Sequence, residues 1–93
     1  MLPGLNHNFK YKDLVFHIQT EDTGKLSFTV VTHLYLNGTI IATKKTYYGD
    51  ARNSPEINQI VKDLIDTQHK QMLLDLKNGM FDDKIRVIIN DQV

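Results

Sequence analysis

Four histidines, His7, His17, His33 and His69, are the residues of this 93-residue chain best suited to chemistry near neutral pH, because imidazole ordinarily titrates there. Imidazole also binds metals. No pair of these histidines has HxH, HxxxH or HExxH spacing, however, and the chain has no cysteine. A zinc-finger or helical metalloprotease pattern is therefore missing, although spacing along one chain leaves sites between subunits open. The lack of cysteine also removes disulfides and thiolate nucleophiles, and fits a reducing cytoplasm. Ser27, Ser54, Thr29 and Thr46 carry hydroxyls outside any GxSxG or SxxK motif. Gly24, Gly38, Gly49 and Gly79 fall at turns or a helix end, and none forms a phosphate-binding loop. No catalytic residue, resident metal or cofactor is assigned.

Which of these side chains meet depends on strand pairing. Residues 1–48 are rich in Val, Ile, Thr, Phe and Tyr with period-two alternation, the pattern of strands. Asn37-Gly38 supplies both positive-φ residues of a type I′ turn. That turn places Tyr35 opposite Ile40, Leu34 opposite Ile41, His33 opposite Ala42 and Val31 opposite Lys44. Glu21 to Lys25 reads as a three-residue hairpin loop with Gly24 left-handed, which puts Ile18 opposite Phe28 and Phe16 opposite Val30. A weaker turn at Lys12-Asp13 pairs Phe9 with Phe16 and Asn8 with His17. These registers agree in collecting Leu14, Phe16, Ile18, Phe28, Val30, Leu34, Leu36 and Ile41 on one face. A slip of one residue would scatter them over both.

The other face then carries a polar patch centred on His17, with Asn8, Gln19, Ser27, Thr29 and Thr46 and with Lys44 beside it. Asn8 is placed to bond a His17 ring nitrogen and fix its tautomer. A solvated sheet face also looks polar, but it more often carries Lys and Glu than Asn, Gln, Ser and Thr. His33 beside Asp13 would form a carboxylate–imidazole pair, an acid–base element or a plain surface contact. His69 flanks the apolar stripe of the following helix, where its ring would cover the core edge.

That helix is expected over 54–78. It opens at Ser54-Pro55-Glu56 and closes at Lys77-Asn78-Gly79. Ile57, Ile60, Val61, Leu64 and Ile65 form its stripe, followed by Met72, Leu73 and Leu76, with Gln68 and Asp75 interrupting. About 36 Å of helix over strands of about 27 Å leaves an overhang. Met72, Leu73, Leu74 and Met80 would then be uncovered and form a dimer contact. The tail, 82–93, is rich in β-branched residues and reads as an extra strand pairing with a sheet edge, or as a frayed end. The fold class is a single α+β domain: a four-stranded antiparallel meander packed on one long helix.

Eleven Lys+Arg balance eleven Asp+Glu. Neutrality argues against a dedicated nucleic-acid or membrane-surface protein. At 41% hydrophobic residues the chain suits a globular core rather than disorder. No apolar run approaches the ~20 residues of a membrane span, and Met1 to Leu5 does not read as a signal peptide.

Several segments are similar to those of a group of small uncharacterised bacterial proteins. They are Asn6-His7-Asn8, Phe16-His17-Ile18-Gln19-Thr20-Glu21-Asp22, Thr32-His33-Leu34, Gly38 to Lys45, and Gln68-His69-Lys70-Gln71-Met72-Leu73. The resemblance covers roughly residues 5–81. It implies a bacterial cytoplasmic setting and no assigned activity. The expected function is a non-catalytic homodimeric binding module, with a second protein as a further partner. One alternative is a small-ligand or metal-binding protein using the His17 patch. Another is a minor enzyme with a histidine acid–base.

Overall fold

A computed structural model describes residues 2–91. Strands β1 (Leu5–Tyr11), β2 (Leu14–Asp22), β3 (Thr29–Leu36) and β4 (Thr39–Tyr47) form one antiparallel sheet in the order β1-β2-β3-β4. Helix α1 (Ile57–Lys77) packs across one face, and a shorter helix, α2 (Asp82–Asp91), follows it. The expected α+β meander on one long helix is present.

The first hairpin has the expected register, with Phe9 opposite Phe16 and Asn8 opposite His17. Its turn is Lys12-Asp13, both left-handed at φ 50° and 64°. The Asn37-Gly38 turn has the same form, at φ 52° and 81°. Both are type I′ geometries, matched to the twist of the flanking strands.

The middle register differs. Ile18 faces Leu34 and Phe16 faces Leu36, six residues from the expected pairing. The cause is a longer connection. The Asp22 carboxylate accepts the Gly24 N–H at 2.9 Å, and Gly24–Leu26 makes a 3₁₀ turn. Thr23 closes the loop, donating its N–H to Thr29 O at 2.9 Å and accepting the Thr29 N–H on Oγ1 at 3.0 Å. Six is an even number, so every side chain of β2 and β3 keeps its face. Phe28 leaves the sheet for a left-handed loop position at φ 50°.

The last hairpin starts as expected, with Tyr35 opposite Ile40, and then shifts. Leu34 faces Ala42 rather than Ile41, so Ile41 is the extra residue of a β-bulge. From there to its end, β4 is turned over. Lys44 and Thr46 point to the helix side, opposite Thr32 and Val30, while Thr43, Lys45 and Tyr47 face outward.

The cap of helix α1 is Glu56, two residues after the expected Ser54. Ser54 Oγ accepts the Glu56 N–H at 3.2 Å within a preceding turn. The C-terminus is a Schellman motif: Met80 N–H bonds Asp75 O at 3.0 Å and Gly79 N–H bonds Leu76 O at 3.1 Å. Gly79 takes φ +80°, a conformation that costs a residue with a Cβ.

The tail is a helix, not a strand; residues 92 and 93 lie outside the described residues. Ile85, Ile88 and Ile89 have helical spacing and join one face to the core, whereas alternation would have split them between two faces. Asp82 and Asp83 in the first turn suit the helix dipole. Asp82 also ties the helix to the first turn, accepting Tyr11 O–H and Lys12 Nζ, both at 2.9 Å. This helix covers the end of the sheet where an overhang was expected. Met72 is accordingly fully buried and Leu73 half-buried, leaving Leu74 and Met80 exposed.

The core has two apolar parts. Phe16, Ile18, Leu34, Leu36, Ile41, Met72, Leu76 and Ile85 form the larger. Val30, Tyr48, Val61 and Ile65 form the smaller, beneath the first half of α1. No helix among the described residues is long and apolar enough to cross a membrane.

Candidate functional site: a polar belt under the helix and a histidine row on the open sheet face

Between the two apolar parts lies a belt of buried polar side chains. Thr20, Thr32, Gln68 and His69 are each at most 8% exposed. Thr20 and Thr32 sit on the inward parity of β2 and β3, and Gln68 and His69 interrupt the inward stripe of α1. Buried polar groups are costly without partners, and here all have them.

The atoms dictate the sense of each bond. Gln68 Nε2 faces Val30 O at 3.0 Å, Lys44 O at 3.1 Å and Thr32 Oγ1 at 3.1 Å. Carbonyl oxygens only accept, so the amide nitrogen must be on that side, and Gln68 Oε1 accepts Thr46 O–H. Thr32 Oγ1 is then an acceptor from Gln68, and its hydrogen goes to Thr20 Oγ1 at 2.7 Å. The Thr20 hydrogen goes to His69 Nδ1 at 2.8 Å. His69 therefore carries its proton on Nε2 and donates to His7 Nδ1, also at 2.8 Å. The reverse sense would leave the Thr32 hydroxyl hydrogen without an acceptor in a buried place. Burial holds His69 below its ordinary titration range. The neighbouring His7, and more weakly His17, push it the same way, while Asp66 opposes them. A neutral His69 is what the bond chain requires. The chain ends at His7, whose remaining proton is on Nε2.

His7 and His69 line a cavity of about 370 Å³ between β1 and α1, with Leu5, Phe9, Ile18 and Leu73 as apolar walls. Asp66 and Lys70 stand on the same rim. The separation of the two imidazole nitrogens is that of a hydrogen bond; two ligands of one tetrahedral ion at ~2.0–2.1 Å each would stand further apart. Among the described residues no group of three His, Cys, Asp or Glu is arranged to hold a metal ion.

On the outer face, His17 is held as expected by Asn8, Nδ1 to Oδ1 at 2.9 Å. Asn6, two residues back on β1, takes Nε2 at 2.9 Å. Either asparagine amide is able to turn its NH₂ to the ring, so the clamp suits a neutral or a charged imidazole. Tyr35 lies across from His17 with ring centroids 6.0 Å apart, and His33, two residues earlier on β3, has its ring centroid 5.8 Å from that of Tyr35. Gln19 joins this row opposite His33 and donates to Glu21.

The other expected members of the patch are elsewhere. Thr46 and Lys44 are on the helix side, turned over by the bulge, where Lys44 pairs with Asp75 at 2.7 Å and holds that carboxyl below the usual range. Ser27 is in the loop, its hydroxyl 2.8 Å from that of Thr23. Thr29 keeps the outer face but, with the register moved, sits six residues beyond the position opposite His17, about 20 Å away. His33 does not meet Asp13. Its Nδ1 bonds Thr43 Oγ1 at 2.9 Å, and Asp13 lies six strand positions from Gln19, the residue opposite His33.

The belt escaped the sequence reading because each member looked like an isolated exception. The available signal was their coincidence: polar residues on the apolar parity of two strands and on the apolar stripe of the helix. Compared with known proteins, the chain matches no protein family, no curated protein and no solved structure.

Proposed function

We propose that this chain is a non-catalytic binding module that pairs with a second copy of itself through the open face of the sheet. The observation that carries this reading is the row Asn8, His17, Tyr35 and Ile40, which runs across all four strands with no element of the described residues over it. The row itself offers aromatic, apolar and neutral hydrogen-bonding atoms, with Ile40 50% exposed and Val15 beside it 58% exposed, while the charged Lys10, Glu21 and Lys45 lie outside the row on the same face. Depletion of charge and enrichment in aromatic groups mark the centre of protein interfaces. Four strands at ~4.8 Å and eight residues at ~3.3 Å give a face of roughly 500 Å² per copy, so a pair buries on the order of 1,000 Å², enough for a specific contact. The helix end offers less, because Met72 is in the core.

Two of the four histidines are also withdrawn from acid–base work: both ring nitrogens of His17 and of His69 are engaged within the chain, whereas His7 and His33 each have one engaged. A general base needs a free nitrogen within reach of a substrate proton. Light scattering during size-exclusion chromatography tests the proposal. The expected mass is twice that of one chain, falling to one chain in Tyr35→Glu and unchanged in Leu74→Asp. A monomeric native protein, or a Tyr35→Glu variant that stays dimeric, overturns it.

A further inference from the structure

We infer that the cavity between β1 and α1 is a binding site for a small carboxylate with an apolar body. Its volume of about 370 Å³ lies at the small end of the range typical of ligand pockets. Leu5, Phe9, Ile18 and Leu73 give it apolar walls, and such walls favour hydrocarbon over polar ligands.

The headgroup follows from the buried bond chain. Gln68 is oriented by two backbone carbonyls and sets the sense of each following bond, through Thr32, Thr20 and His69 to His7. The end of that chain is a donor, the Nε2–H of His7, which is a lining residue of the cavity, and an acceptor bound there would extend the chain. Lys70 on the same rim adds an ammonium, and Asp66, four residues before it, keeps the local charge near balance. A monoanion satisfies the N–H and the ammonium together. A dianion meets Asp66, and a ligand ammonium gains Asp66 but opposes both donors. Its walls are on β1, β2 and α1 and directed to the helix side, and only Asn8, at the β1 end of the outer row, is shared with the open sheet face.

The test titrates the whole chain with octanoate and, separately, with octylammonium, following the imidazole nitrogens and the Leu5 and Leu73 methyl groups by NMR. Saturable octanoate binding is expected, with the largest nitrogen shift on His7 Nε2 and methyl shifts at both leucines. Octylammonium, and octanoate with His7→Phe, should bind about tenfold more weakly, the loss of roughly one hydrogen bond. His7 is exposed on an edge strand, and Lys70→Gln provides a second variant away from the sheet, expected to weaken octanoate severalfold. Absence of saturation, equal affinity for octylammonium, or shifts centred on Tyr35 and Ile40 instead of the leucines overturns the assignment. So does full affinity in both variants.

Discussion

At the scale of single residues, Gln68 has the largest polar role. Its amide nitrogen shares two hydrogens among two backbone carbonyls of different strands and the Thr32 hydroxyl oxygen, and its amide oxygen accepts the Thr46 hydroxyl. Replacing it with leucine keeps the volume and removes every one of those partners. Leaving buried acceptors unmade costs about 1–3 kcal/mol each, so Gln68→Leu should lose about 3 kcal/mol or more of stability. Urea unfolding followed by circular dichroism checks this. A loss under about 0.5 kcal/mol, ordinary for a surface change, would remove Gln68 from its organising role. Tyr48 is a second buried polar anchor, donating its hydroxyl to Asp22, whose other contact is the Gly24 N–H. Burial, with the Asp22 hydrogen bond and charge added, pushes the Tyr48 phenol up to about 12.

At the scale of elements, the two hairpin turns have the same backbone and different chemistry. Asn37-Gly38 is made for positive φ, whereas Lys12-Asp13 is not, and Asp13 holds φ +64°. The left-handed region costs a residue with a Cβ roughly 1 kcal/mol relative to glycine. Asp13→Gly should therefore stabilise the chain by up to about 1 kcal/mol, raising the melting temperature by roughly 4–8 °C for a domain of this size. A melting scan showing a decrease would mean that the Asp13 side chain has a role beyond the turn. Lys12 should be left in place, because it pairs with Asp82 at the start of α2. That pairing and the Tyr11–Asp82 bond connect the first turn to the last helix, which closes the larger core over Leu36 and Ile41.

At the scale of the whole molecule, the shifted groups predict how stability changes with pH. His69 titrates below its ordinary 6.5 when folded. The folded state then binds fewer protons than the unfolded chain, so this contribution is complete above 6.5 and is lost as pH falls from there through the folded value. Asp75, held down first by its hydrogen bond to Lys44, and Asp82, held down first by that to Lys12, contribute above 3.8 and lose their effect below it. Tyr48 acts in the opposite sense: its contribution is complete below 10 and is lost as pH rises from 10 to about 12. A stability plateau should thus extend from about pH 6.5 to 10, with a first acid shoulder due to His69. Urea midpoints measured from about pH 8 to about pH 5 should fall in the native chain and stay level in His69→Asn. Parallel curves would place the acid sensitivity elsewhere. The molecule is long, 51 × 20 × 19 Å, well beyond the roughly 32 Å of α1 alone.

Much of this was legible along the chain. Alternation in residues 1–48 determined four strands and, for β1 to β3, their inward face, Asn37-Gly38 determined one turn, and the stripe from Ile57 to Leu76 determined the helix. The pairing of Asn8 with His17 followed from a two-residue turn, because a turn of known length leaves one register. Tertiary structure decided what local pattern leaves open. The Ile41 bulge turned Lys44 and Thr46 to the helix side, since one extra residue inverts every later position of a strand. The Thr23 loop moved β3 by six residues without changing any face, because parity alone carries the hydrophobic signal. The tail became a helix because the end of the sheet offered Ile85, Ile88 and Ile89 a shared apolar surface, and burial outweighs β-branched preference. The buried chain from Gln68 to His7 needs two strands and a helix at one level of the core, and residues up to 62 positions apart meet there only once the chain has folded.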